Sequence, residues 1–176
     1  MSGHNKWSKI KHKKAASDAQ KSKVFSKLVK LIQNESKACE GNIDSPGLKS
    51  AIEKAKKVNM PSDNIDRAIK KGKEDTSASM ETVVYEAYGP GGVAMIIEGL
   101  TGNRNKTAQE VRHALTKNNL SLAATGSASW AFERVGGEYV PKTMTEISDE
   151  DAEKLESLID ELEELEDVQE VFTNAE

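Results

Sequence analysis

Seven lysines, two histidines and one tryptophan crowd the stretch GHNKWSKIKHKKAASDAQKSK, residues 3–23. Ammonium groups at this density neutralise phosphates and release the counterions condensed on a nucleic acid. An indole among them can stack on a base or wedge into a groove. Lys6, Lys9, Lys11, Lys13, Lys14, Lys21 and Lys23 are therefore candidate phosphate contacts, with Trp7 as a candidate stacking group. Two plainer readings stand beside these: a solubilising tail, and Trp7 as an anchor tucked onto a helical domain. The first thirty residues hold no arginine. Lysine is a point charge without the planar fork that reads base edges, so the stretch suits backbone or shape recognition.

A second candidate is Asn103-Arg104-Asn105-Lys106, read as a loop ahead of a capping box at Thr107-Ala108-Gln109-Glu110. Amide side chains, the Arg104 guanidinium and free helix N–H groups would suit a phosphate. A polar loop before a capped helix is the competing reading. Enzyme chemistry finds no footing. The sequence has no P-loop, no dinucleotide glycine fingerprint, no HExxH and no GxSxG. Cys39 ends an apolar stripe and reads as a structural thiol. Three histidines and one cysteine make no credible zinc site, and no metal or other cofactor is expected. The carboxylates of the last thirty residues lie largely on the outer face of one expected helix, a solvated surface. Their sign should still turn phosphates away and orient the protein basic end first.

The formal net charge of −4 conceals this asymmetry: residues 1–30 carry +8, residues 31–145 carry +1 and residues 146–176 carry −13. A basic end acts within a Debye length, whatever the average charge. With 36% hydrophobic and 31% charged residues, the chain reads as soluble. No apolar run is long enough to cross a membrane. The first lysines are not followed by the apolar segment of a secretory signal. The single cysteine excludes an internal disulfide. A cytoplasmic monomer is the expectation.

Residues 1–16 show no helical period, which predicts an arm that orders on a partner. Deleting that arm is expected to leave thermal stability nearly unchanged. Ser17-Asp18-Ala19-Gln20 forms a predicted capping box for a helix over 18–40, closed by Gly41. Ser45-Pro46 opens a second helix that ends before Pro61, and Ser62 opens a third that ends at Gly72. Residues 73–81 read as a linker. Strands follow over 83–88 and 93–98 around Gly89-Pro90-Gly91-Gly92. A helix comes after Thr107, then strands over 127–134 and 138–145 joined at Gly136-Gly137. In the first of these, alternation places Ala128, Trp130 and Phe132 on one side. Ser148 opens a last helix and residues 168–172 a last strand. The expected fold is α+β. A basic arm and three-helix domain fill 1–79. An α/β, ferredoxin-like domain of order ββαββαβ fills 80–176, with a mainly antiparallel sheet and helices on one face.

Several stretches carry a resemblance. They are GHNKWSKIKHKKAASDAQKSKVFSKL, the run Asn59-Met60-Pro61 with IDRAIKKG, then YEAYGPGGVAMI, LTGNRNKTAQEVRHAL and EDVQEVFTNAE. Together they resemble the YebC/PmpR family over nearly the whole chain. The resemblance implies a bacterial or organellar cytosolic protein that regulates transcription by binding DNA. Other members, among them the mitochondrial translational activator of cytochrome c oxidase subunit I, imply a ribosome-associated factor. Such a factor would grip ribosomal RNA or tRNA and assist synthesis of proline-rich stretches. In either role the resemblance sets Lys6, Trp7, Lys9, Lys11, His12, Lys13 and Lys14 against nucleic acid. The chain departs from the family in one place. The usual member inserts a further α/β domain after the strand ending near Phe132, whereas Glu133–Glu138 turns straight back. The expectation is a non-enzymatic nucleic-acid-binding regulator, with transcription first and translation second.

Overall fold

The computed structural model describes residues 6–16 and 18–176, with residues 12–16 described as backbone only. His4 and Ser17, the latter a predicted cap, lie outside the described residues. The chain divides into two compact units: residues up to Lys13 with Glu81–Glu176, and Lys14–Met80. The basic stretch is shared between them, where the sequence reading keeps it whole beside the helices.

Helix α1, Lys6–Ala16, stands where an arm is predicted. Trp7 and Ile10 are three residues apart and both pack on the α/β unit. Two apolar residues are too few to register as a period. Docking, not local propensity, stabilises so short a helix.

In the helical unit α2 (Asp18–Ala38), α3 (Pro46–Lys57) and α4 (Ser62–Glu74) enclose Ile32, Leu48, Ala51, Ala55, Met60, Ile65 and Ala68. Beyond α2, Glu40 and Gly41 turn left-handed, and the Gly41 N–H donates to the Ser36 carbonyl at 2.8 Å. This is the closure expected at Gly41. Gly72 does something else. α4 runs on to Glu74, and Gly72 sits where α4 meets α2. A Cβ there would lie 2.2 Å from the Gln33 carbonyl oxygen. The Ser36 hydroxyl donates to the Ile69 carbonyl at 2.6 Å and ties the same crossing.

The α/β unit holds β1 (Glu81–Tyr88), β2 (Ala94–Thr101), α5 (Arg104–Lys117), β3 (Leu122–Ala123), β4 (Phe132–Val135), β5 (Glu138–Pro141), α6 (Asp149–Glu163) and β6 (Val168–Thr173). Four strands form one sheet in the order β3-β1-β2-β6, and each ladder is antiparallel. Between β1 and β2 the chain makes a 3-10 turn at Pro90–Gly92, with Gly91 at φ 75°. A side chain at Gly91 would also meet Ile147 at 2.8 Å, so glycine is required on both counts. Ala87, Met95 and Ile97 face Val111 and Leu115 of α5 and Leu155, Leu158 and Leu162 of α6. The other face carries Ala94, Ile96 and Phe172, covered by Ala128, Ala131 and Phe132. Helices thus take one face, as predicted, and the β4–β5 segment takes the other.

Two strand assignments change. The pair predicted over 127–134 and 138–145 does not join the sheet. It forms a separate hairpin, β4–β5, and starts later than predicted. Ser129–Ala131 is a 3-10 turn that breaks the alternation, so Trp130 stands 52% exposed while Ala128 and Phe132 are buried, not all three on one side. The sheet's third strand is β3, whose two residues are too short to show a period.

Candidate nucleic-acid interface

Trp7 is 6% exposed and belongs to the core built by β1, β2, α5 and α6. A ring so enclosed presents no face to a base. The anchor reading describes it, on the α/β core rather than on the helical domain. Its indole N–H finds no hydrogen-bond partner. The expected neutrality of deleting residues 1–16 is accordingly reversed, because removal would open this core. What Trp7 supplies is position: it holds α1 in place and turns other residues of α1 to solvent.

Those residues differ in what they meet. The Lys6 ammonium pairs with Glu153 of α6. That hydrogen bond, with the nearby charges of Glu153, Asp149 and Glu156, raises its pKa above the usual lysine value. The acidic helix therefore engages the first lysine of the basic one. Lys9 and Lys11 are exposed. His12, Lys13 and Lys14 follow on α1, where only the backbone is described. On α2, Lys21 is exposed and Lys23 half-buried.

Arg104 is the first residue of α5, not part of a loop. The helix starts a turn before the predicted capping box. Asn103 caps it, accepting the Lys106 N–H at 3.2 Å. Thr107 lies inside the helix, its hydroxyl 2.8 Å from both the Thr101 hydroxyl and an Asp167 carboxylate oxygen. That buried pairing displaces the cap reading, because a threonine so engaged cannot reach a helix end. The Arg104 side chain is 68% exposed and lies 3.4 Å from Glu81. The Asn103 side chain thus serves the cap, and a carboxylate faces the guanidinium.

Two features escape the sequence reading. Glu86 is 6% exposed inside the α/β unit and accepts the N–H groups of Gly126, Ala128 and Ser129 at 2.6–2.9 Å. Burial works against its charge, yet the three donors outweigh it and hold the carboxyl below the usual carboxylate range. It pins the segment that leads into β4. A glutamate on an apolar strand is the only signal in the sequence. The second feature is an aromatic pair, in which the Trp130 indole donates to the Tyr88 hydroxyl at 2.9 Å. Among the described residues no group of three or more His, Cys, Asp or Glu side chains could hold a metal. No described helix is long and apolar enough to cross a membrane.

Fold and surface define a class: a two-unit α+β protein with a lysine-bearing helix fixed to its α/β unit and no metal constellation among the described residues. Comparison with known proteins narrows the class. Residues 5–75 match the TACO1/YebC protein N-terminal domain, and residues 80–138 and 137–175 match the TACO1/YebC second and third domain. The chain belongs to the TACO1/YebC family. It is 40% identical to a "Probable transcriptional regulatory protein" of Fervidobacterium nodosum over 235 positions, covering 99% of this chain and 93% of that one. A protein of the same description from Bifidobacterium longum is 54% identical over 144 positions, 80% of this chain and 57% of that one. A third, from Thermotoga maritima, is 48% identical over 90% of this chain and 61% of that one. The chain therefore spans less than two thirds of these last two relatives. Among solved structures, a conserved hypothetical protein of Aquifex aeolicus is similar, with 33% identity and a TM-score of 0.71 over 90% of this chain and 91% of that one. The first alignment is longer than the 176 residues of this chain, so that relative carries residues with no counterpart here. The two family segments meet at residues 137–138, where β4 turns into β5. The short hairpin thus stands at the place where the two matched segments of the family model join.

Proposed function

We propose that the chain is a nucleic-acid-binding regulator of gene expression that acts on DNA in transcription. One observation carries the reading: Lys9 and Lys11 are exposed on a helix that Trp7 and Ile10 fix to a core. Cations on an anchored helix lose less freedom on meeting a phosphate backbone than cations on a loose tail. Lys13, Lys14 and His12 continue the helix, Lys21 and Lys23 open the next, and Arg104 is a subsidiary contact. Lys6 joins them when nucleic acid displaces Glu153. The name shared by the relatives supports regulation of transcription. In this reading the protein acts by binding rather than by catalysis, in the cytoplasm and as a monomer.

A second reading, a translation factor on ribosomal RNA or tRNA, is favoured by the lack of arginine in the first thirty residues. Lysines without a base-reading fork suit recognition of shape. One experiment separates the two: fractionate lysate on a sucrose gradient and footprint genomic DNA for the same protein. Reproducible footprints with no ribosome co-migration support transcription. Ribosome co-migration without footprints replaces it with translation.

A further inference from the structure

We infer that the helical unit carries a second phosphate-binding site, a cleft between α2 and α4 that takes one phosphodiester of a nucleic-acid strand. The cleft has a volume of about 250 Å³ and is lined by Val29, Gln33, Asn64, Arg67, Ala68 and Lys71. Its chemistry points one way. The lining holds a guanidinium, an ammonium and two amides, and no carboxylate. Arg67 is held in place. Its Nε donates to the Asp63 carbonyl at 3.2 Å and its Nη2 to the Asn64 side-chain oxygen at 2.9 Å. A guanidinium has five N–H donors, so three remain for an anion. The same bond turns the Asn64 amide nitrogen away from Arg67 as a further donor. Lys71 lies one helical turn beyond Arg67, on the same side of α4. Gln33 brings an amide from α2, at the crossing that Gly72 permits. Val29 and Ala68 give an apolar wall of the kind that a sugar covers. Asp63 and Asp66 are on α4 as well, but neither lines the cleft.

A fixed planar fork with a point charge one turn away suits a phosphate, which takes a bidentate pair and a second cation together. Along α3 and α4 the sequence shows only lysines and one arginine diluted by acids. The fold leaves the acids out of the cleft lining and joins Arg67 and Lys71 to amides from α4 and α2.

The inference rests on the nucleic-acid reading and is tested apart from it. Binding of the full chain to a fluorescent single-stranded RNA and to a duplex DNA would be followed by anisotropy across a salt series. The double variant Arg67→Gln, Lys71→Gln should bind about tenfold or more weakly at low salt. Its log–log salt slope should be shallower by about 1.4 on the single strand, two contacts at about 0.7 each. Arg67→Lys keeps the charge and loses the fork, so it should weaken binding while leaving the slope nearly unchanged. The variant Lys9→Gln, Lys11→Gln probes α1 separately. Unchanged affinity and slope in the Arg67/Lys71 variant, with loss in the Lys9/Lys11 variant, would overturn the cleft and leave the proposed function standing. Failure of the unmodified chain to bind either nucleic acid would overturn both.

Discussion

The two units treat their polar groups in opposite ways. Among the described residues the α/β unit buries Glu86, Thr101, Thr107 and Asn174, and the helical unit buries only Ser36. The four in the α/β unit are partnered inside it. Glu86 gathers three backbone N–H groups, Thr101 and Thr107 share Asp167, and Asn174 accepts the Ala94 N–H at 2.8 Å. These bonds hold loops that a sheet cannot hold by its own ladders. Three helices with short connections need fewer such ties, because most of their backbone groups are satisfied within each helix, and Ser36 to Ile69 is the buried one. The helical unit is then free to leave Arg67, Lys71, Asn64 and Gln33 lining an open cleft. Interior bonding in one unit goes with structural duty. Outward donors in the other line the cleft proposed to take a phosphate.

The sharpest way to break that contrast is Trp7. Replacing it by Ala should cost about 3–5 kcal/mol in the α/β unit if the ring stays packed until unfolding, and less if α1 simply undocks. Urea unfolding, with tryptic cleavage at Lys9 and Lys11 as a probe of undocking, would tell. Wild-type unfolding and cleavage would return α1 to a loose arm. Gly72→Ala should come next, at about 1–3 kcal/mol, because the new carbon meets backbone that cannot move aside. The loss should appear as faster amide exchange in the helical unit; unchanged exchange there would remove the close crossing.

Glu86→Gln should cost about 1–3 kcal/mol by weakening charge-assisted bonds to the segment before β4. Its pH dependence follows from the lowered pKa. The folded carboxyl titrates below its unfolded value of about 4.3. Its stabilisation is therefore complete above that value and disappears as pH falls through the lower folded one. The difference in melting temperature between wild type and the variant should narrow below about pH 4. A difference independent of pH would mean that the charge contributes nothing. The smallest effect should come from Glu153→Gln. Freeing Lys6 should leave stability nearly unchanged, since exposed ion pairs contribute little. It should tighten nucleic-acid binding by about twofold at low salt. Equal affinity would show that α6 does not compete for α1.

Much of the helical unit was legible. The apolar spacing of α3 and α4, Pro46 at a helix start and Gly41 past a helix end are local signals with local causes. So were α6 with its Ser148 cap and the β1–β2 pair. The failures fall where a distant partner decides. Thr107 looks like a cap until Asp167, sixty residues on, takes its hydroxyl. Trp130 looks to share a side with Ala128 and Phe132 until a 3-10 turn separates it from them. Neither Arg67 nor Lys71 stands out from the charged surface until α2 lies beside them.

By itself the sequence determined the family, the α+β class, the lysine-rich opening and its acidic counterpart. These depend on composition, on short-range spacing and on motifs that survive without any knowledge of contacts. Only the tertiary structure decided what the opening stretch is. Lys6 meets an acid from α6 and Trp7 enters a core of residues at least eighty positions away. Lys9 and Lys11 are left outside. Burial and pairing depend on what the rest of the chain brings alongside, and no periodicity within eleven residues records that.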